Sequence, residues 1–497
     1  MTAWDTVMAL GRWGQTHPKT ICGVMGSAFA LGMVLRVVTG GHRRHRDMHG
    51  SARWATYGEV KRSGLSRRAG LMVGVMQERA FLDNGPKHVF LCGPTRAGKG
   101  VFHIQPTLAY GWQHSALILD PKRGENYELT RQARAGYGRV RAFAPYQAPL
   151  ARINVLDTIR LQTVQEHGDA LTIAQSLTAP HKMIGENATS MHFRELAAML
   201  LTAALLHVCY TKAKPSLAAV WHFLTQQHAD LAACLRTMRR AKHTPHGVHP
   251  TIAQFTQAIS NITGDRELSS VWTTMIRPLS LYADPLIAAS TNTSTLALED
   301  LQHGPEPLAL YLLAPSPRSL ERLHPVYRVI VDVAMARLTD RPVSATARRL
   351  LVCAEELPAY GYMHSINKGA SDMAGYGIKG LFVAQDMDQF EDTYGQKNTI
   401  WGNTETKIFH APDNERTAER LSRFILGAAT VENPVQSRQG FFRDGSVSYQ
   451  HVERPLLTTD EVQALDPSQI IVRRTGSKPM LLYKLGFDPA KRKEEAA

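Results

Sequence analysis

Cysteine is scarce in this chain and follows no pattern. The five cysteines of the 497 residues, Cys22, Cys92, Cys209, Cys234 and Cys353, are scattered, show no CxxC spacing and are odd in number. That excludes a disulfide framework and a zinc knuckle, and it suits a reducing compartment. Internal repeats and low-complexity tracts are missing as well. Charged residues are only 20% and apolar ones 44%, the balance of a folded globular chain rather than a disordered or polytopic membrane one. At about 150 residues per domain, the length allows roughly three domains. Acidic residues are the minority charge: 43 aspartates and glutamates against 57 lysines and arginines leave +14. This surplus favours anionic partners.

The surplus is unevenly placed. Residues 1–68 hold eleven basic and three acidic side chains, so +8 of the +14 sits there. Long hydrophobic runs are nearly absent, and the longest lies in the same region. From Thr20 to Leu35 the chain carries no charge, and Arg36 followed by Val37 and Val38 extends the stretch to residue 38. Such a stretch is just long enough to cross a bilayer, and the RRHR cluster (Arg43–Arg46) places the C-terminal side of the span in the cytoplasm. A cleaved signal is the poorer reading, because the run starts twenty residues in and is not succeeded by an A-x-A site. The expectation is a single-span anchor in residues 1–40 and a basic juxtamembrane segment over 41–85. A second run, Leu196–Tyr210, has fifteen uncharged residues and reads as a core helix.

The strongest chemical signal begins at His88. The apolar run His88–Cys92 leads into Gly93, Pro94, Thr95, Arg96, Ala97, Gly98, Lys99 and Gly100, then into the helix-like stretch that starts at Val101. Strand, glycine loop and helix make the setting of a P-loop. Its backbone N–H groups wrap phosphates at close range, the helix N-terminus adds partial positive charge, and Lys99 reaches the β and γ oxygens of ATP. The strict pattern ends in Ser or Thr, which holds Mg²⁺; here Gly100 occupies that place, so metal ligation must come from elsewhere. Downstream, RRLLVCAEELP (Arg348–Pro358) reads as a buried strand ending in two carboxylates. Glu355 is the expected metal-shell residue, through water, and Glu356 the general base for the attacking water. Gly380–Gln385 is a further strand with a polar end, where Gln385 could sense the γ-phosphate or simply cap a loop.

Taken together, GPTRAGKG, SALILDPKRGENYELT, AEELPAYGYM, AGYGIKGLFVAQDMDQF and TKIFHAPDNERTAERLS, with HGSARWAT before them and RPLLTTDEV after, resemble the TraG-type coupling proteins of type IV secretion. The likeness runs in order from about residue 49 to 485. It implies a RecA-like P-loop ATPase, an α/β fold with a mostly parallel sheet, an inserted all-α domain and an N-terminal transmembrane helix. It further implies a hexamer in the bacterial inner membrane, bulk in the cytoplasm, that delivers relaxase-bound single-stranded DNA, or protein effectors, to the secretion channel, together with relaxosome proteins. By the same likeness Lys99 is the Walker A lysine, Glu355 and Glu356 replace the usual Asp-Glu pair, and Gln385 is the strand-end glutamine. Asp120 and Lys122 belong to a DPK-GE segment that Arg123 interrupts, and Gly100 is a familiar variant. Three departures stand out: glutamate in place of aspartate at 355, the extra Arg123, and one span where two are frequent.

The NTPase is expected in two pieces, 86–164 and 301–497, with strands HVFLC, ALILD, LALYLLA, RRLLVCA, GLFVA and TKIFHA in one doubly covered sheet. Residues 165–300, rich in Ala, Leu, Gln and His at helical spacing, read as an all-α domain. Within it, Arg236, Arg239, Arg240 and Lys242 form a basic cluster that fits either DNA phosphate or a solvated helix end. The triplets His243, His246, His249 and His42, His45, His49 lack cysteine or carboxylate partners, so no metal site is expected there. Two alternatives to a coupling ATPase remain: a catalytically degenerate, membrane-tethered docking receptor for the relaxosome, favoured by Gly100 and Glu355, and a DNA translocase resembling FtsK.

Overall fold

The structure, a computed structural model, describes residues 51–147, 151–178, 188–225, 230–340, 347–436 and 447–485. The anchor expected at 20–38 lies outside them. The chain divides into two compact units, the larger comprising Ala55–Ala418 with Gln463–Ala497 and the smaller Met1–Trp54 with Glu419–Val462.

In chain order the described strands are β1 (Leu71–Met76), β2 (Arg79–Asp83), β3 (His88–Cys92), β4 (Ser115–Asp120), β5 (Arg139–Phe143), β6 (Leu308–Leu313), β7 (Leu350–Ala354), β8 (Ile378–Ala384), β9 (Thr404–Phe409), β10 (Ala428–Gln436), β11 (Val447–Pro455), β12 (Gln469–Arg474) and β13 (Met480–Tyr483). The larger unit holds eleven of them in one sheet, ordered β2-β1-β13-β12-β9-β3-β8-β7-β4-β6-β5. From β9 to β5 every neighbouring pair is parallel. Every residue of β3, β4, β6, β7 and β8 is buried and most are apolar, as a sheet covered on both faces requires, the exceptions being His88, Ser115, Asp120 and Lys379. The other end of the sheet is antiparallel: β12 pairs with β9, β13 with β12, β1 with β13 and β2 with β1.

That antiparallel end departs from the sequence reading in two ways. Residues assigned to a juxtamembrane segment supply β1 and β2, whose apolar residues Leu71, Val73 and Phe81 are buried in the sheet core. Nor does the NTPase run unbroken from 301 to the end. Residues 419–462 form part of the smaller unit, because β10 and β11 pair with each other in an antiparallel hairpin, from Ala428 opposite Pro455 to Gln436 opposite Val447, instead of joining the large sheet.

Between β5 and β6 the larger unit is helical: Glu166–Thr178, Ala188–Thr211, Leu217–Thr225, Leu231–Arg240, Pro250–Ser260, Asp265–Leu279 and Pro285–Thr291. The 24-residue helix Ala188–Thr211 is the one described helix long and apolar enough to cross a membrane. Its residues Ala197–Val208 are buried, except for half-buried Met199, against Glu166–Thr178, Pro250–Ser260 and Asp265–Leu279, so here it serves as a core helix.

Two charges lie deep in the sheet. Lys379 of β8 donates to Asp83 at 3.0 Å and to the carbonyls of Gly85 and Lys87, while Arg474 of β12 donates to the other Asp83 oxygen at 2.8 Å. Burial pushes the Asp83 carboxyl up, yet Lys379, Thr406 and Arg474 together hold it below its ordinary value. Removing the shared acceptor leaves buried Lys379 with only the Gly85 and Lys87 carbonyls, and Arg474 with Glu405 and Thr406. Asp83→Ala is therefore expected to cost about 3–5 kcal/mol, read as a lower urea midpoint at unchanged slope.

Candidate nucleotide-binding site

Register brings the candidate residues together. Cys92 of β3 lies opposite Ala384 of β8, and Ala354 of β7 lies opposite Phe382 of β8 and Leu119 of β4. The strands are parallel, so all four end on the same side of the sheet. Gly93, Gln385, Glu355 and Asp120, each one residue past its partner in that register, therefore line up along the carboxyl edge, the usual place for a ligand in an open α/β sheet.

The loop after β3 is held by its own side chains. Arg96 and Gly98 both adopt the left-handed region, at φ 64° and 89°. At Gly98 a Cβ would come within 2.3 Å of the Phe102 ring, so the loop needs glycine there for both reasons. Lys99 is 4% exposed and donates to the carbonyls of Gly93 at 2.5 Å and Pro94 at 2.9 Å. Burial pulls its pKa down, and the nearby Glu356 carboxylate pulls it back up. Thr95 donates to the Gln385 side chain at 3.1 Å, which ties the loop to the end of β8. Beyond Lys99 the chain winds as two wide helical turns, Gly100–Ile104 and Thr107–Gly111, closed by i→i+5 bonds such as Trp112 N–H to Thr107 C=O.

Glu355, 1% exposed, accepts from Lys122 at 2.7 Å and from Asn126 at 2.5 Å. Arg123 and Gly124, at φ 56° and 78°, form the turn that returns the chain from β4 into the helix Glu125–Ala135. The residue that interrupts the DPK-GE pattern is thus part of the bend that carries Lys122 and Asn126 to Glu355. Asp120 accepts from the backbone N–H of Tyr127 at 3.0 Å. Burial, with Glu355 nearby adding to it, raises its carboxyl to about 7 despite that bond. Glu356 comes next at φ 52°, ψ 49°, a left-handed conformation that a glutamate adopts at a cost and that recurs where a side chain has a task. Its charge acts on both Lys99 and Lys122. Asp120, Glu355 and Glu356 offer carboxylate oxygens, the ligand type of a hard divalent cation, with the Lys122 ammonium among them.

Sequence reasoning missed Asn126, the Thr95–Gln385 link, and a buried histidine pair under the loop, His103 and His410. Asn126 stood inside a quoted motif, but only the turn at Arg123 and Gly124 shows which carboxylate it meets. Lys379 is locked inside the sheet with Asp83 and takes no part in the site. Arg236, Arg239, Arg240 and Lys242 are exposed at and just past the end of the helix Leu231–Arg240, whose opposite side buries Cys234, Leu235 and Met238.

Residues 53–487 match the family described as Type IV secretory system, conjugative DNA transfer. The chain belongs to this family. Among its relatives, the conjugal transfer protein TraG of Escherichia coli is 30% identical over 93% of this chain and 79% of its own length. The VirD4 protein of Agrobacterium fabrum is 27% identical over 89% of this chain and 66% of its own length. Among solved structures, the plasmid coupling protein TrwB in complex with ADP and Mg²⁺ superposes with a TM-score of 0.65 at 16% identity, covering 88% of this chain and 94% of that one. The shared fold is that of a RecA-like P-loop NTPase.

Proposed function

We propose that this chain is the coupling ATPase of a type IV secretion or conjugation system. It binds ATP with Mg²⁺ and uses hydrolysis to deliver relaxase-bound single-stranded DNA, or protein effectors, to the secretion channel. The single observation that carries this reading is the register that sets the Lys99 loop, Gln385 and the Glu355–Glu356 pair side by side at the carboxyl ends of β3, β8 and β7. Its setting is the bacterial inner membrane, through a span at about 20–38, with a homo-hexamer, relaxosome proteins and channel components as partners.

Each residue's part is set by its surroundings. Gly93, Pro94, Thr95, Arg96, Ala97, Gly98, Lys99, Gly100 and Val101 wrap the phosphates, and Lys99 exchanges its loop carbonyls for phosphate oxygens. Glu356, at the strand end and free of the Lys122 pairing, takes the proton of the attacking water. Gln385, bonded to Thr95, links the γ-phosphate position to the loop. Glu355, bonded to Lys122 and Asn126, meets the metal's shell through water. Mg²⁺ supplies neutralisation of phosphate charge when bound. Arg236, Arg239, Arg240 and Lys242 offer an exposed basic cluster to DNA phosphates.

The engagement of Glu355 by Lys122, together with Gly100, favours a second reading, a docking receptor that binds ATP without turning it over. Deletion of the gene separates the coupling role from a dispensable one. Plasmid or effector transfer is expected to fall to background and to return with the wild-type chain; undiminished transfer after deletion would refute the proposal.

A further inference from the structure

Behind the loop, on the side away from Gln385, lie two buried histidines that the proposed mechanism does not use. His410 comes directly after β9 and its backbone N–H donates to the Cys92 carbonyl at 2.9 Å. A Cβ placed on Gly93 would meet the His410 Cβ at 2.7 Å, so the ring stands directly against the start of the loop. Its Nδ1 lies 2.9 Å from the Ala97 carbonyl, and its Nε2 lies 3.0 Å from Nε2 of His103. The far nitrogen of His103 lies 3.0 Å from the Met72 carbonyl on β1.

We propose that His410, with its tautomer fixed by His103, is a positioning residue for nucleotide binding: its Nδ1–H anchors the Ala97 carbonyl and thereby aims the Gly98 N–H at the phosphates. The inference rests on the nucleotide site argued above. Its physical basis is the planar trans peptide, in which the carbonyl of residue 97 and the N–H of residue 98 point in opposite directions. Holding the carbonyl down toward His410 turns the N–H up toward the ligand.

Counting protons gives the pair its logic. Both carbonyls only accept, so the three contacts would need three protons if all were hydrogen bonds. Burial keeps both rings well below their ordinary pKa, His103 at about 4, and the charges that act on them, Lys484 on both and Lys99 on His410, are cationic. The pair is therefore neutral and carries two protons. With Nε2–H on His103, both nitrogens of His410 are satisfied: it accepts from His103 and donates to Ala97, and the contact left without a proton is the one between His103 Nδ1 and the Met72 carbonyl. The reversed tautomer turns a lone pair on the Ala97 oxygen and leaves only Lys484, at 3.1 Å, as donor. His103 thus sets which nitrogen of His410 carries the proton.

The test compares His410→Asn with His410→Gln in the full chain, purified in detergent. The two side chains are similar in polarity, but the asparagine nitrogen falls near the Nδ1 position and the glutamine nitrogen near Nε2. Two quantities are read: KM against kcat for ATP, and hydrogen–deuterium exchange of the 93–102 peptide without nucleotide. For His410→Gln, KM is expected to rise about tenfold with kcat changed less than about twofold, and the peptide to exchange about tenfold faster. His410→Asn is expected to restore both toward wild type. Equal behaviour of the two variants, in exchange and in KM, overturns the inference. A wild-type chain without ATP turnover would instead count against the proposed ATPase, and the exchange comparison would still decide the histidine pair.

Discussion

Lys99→Ala is expected to abolish ATP turnover and substrate transfer while leaving the sheet intact. Lys99 is buried, and its ammonium reaches the loop carbonyls of Gly93 and Pro94. When phosphate takes their place, an anionic acceptor in a desolvated cleft replaces a neutral one. Arg96, the nearest arginine in sequence, is exposed at a left-handed position of the loop and does not share the buried place of Lys99. Turnover is expected to fall at least about a hundredfold, mostly through transition-state charge that the lysine no longer offsets. Circular dichroism and the melting temperature should change little. A variant that keeps more than about a tenth of wild-type turnover contradicts the role.

Glu356→Gln separates binding from chemistry. The carboxylate sits at the end of β7 in a left-handed conformation, and its charge lies within reach of Lys99. Glutamine keeps the shape and the backbone but cannot accept the proton of water. Turnover should fall about 10²- to 10⁴-fold, the usual contribution of a positioned base, while ATP affinity stays within a few-fold of wild type. Glu355 offers a built-in contrast, because it is already bonded to Lys122 and Asn126 and its loss should disturb the β4–β7 edge as well as the site. If Glu356→Gln turned ATP over at the wild-type rate, Glu356 would not be the base.

The parallel half of the sheet was legible because most of its strands, β5 and β9 apart, carry a short, dominantly apolar run bounded by polar residues. HVFLC, LLVCA and IKGLFVA stand out from any helical pattern, and the glycine loop and paired glutamates mark their ends. The antiparallel edge was hidden for the opposite reason. β2 (RAFLD) and β12 (QIIVRR) begin or end in charge, and Arg474 and Asp83 are buried because they meet each other, with Lys379 and Glu405 beside them. Such a pair, 391 positions apart in the chain, leaves no local trace. The same limit hid the histidine pair: His103 and His410 are 307 positions apart, and neither belongs to a recognisable spacing. Local spacing drew attention instead to His243, His246 and His249. Of these, His243 is buried and bonded to His207 at 2.9 Å, a contact with no connection to the nucleotide loop.

The central claim is that nucleotide hydrolysis at this site is coupled to DNA. Its most direct test is ATP turnover by the purified full chain with and without single-stranded DNA, alongside Glu356→Gln. Turnover that rises when the DNA is added and disappears in the variant is the expected result. ATP binding with no turnover under either condition would contradict it and leave the docking receptor as the better reading.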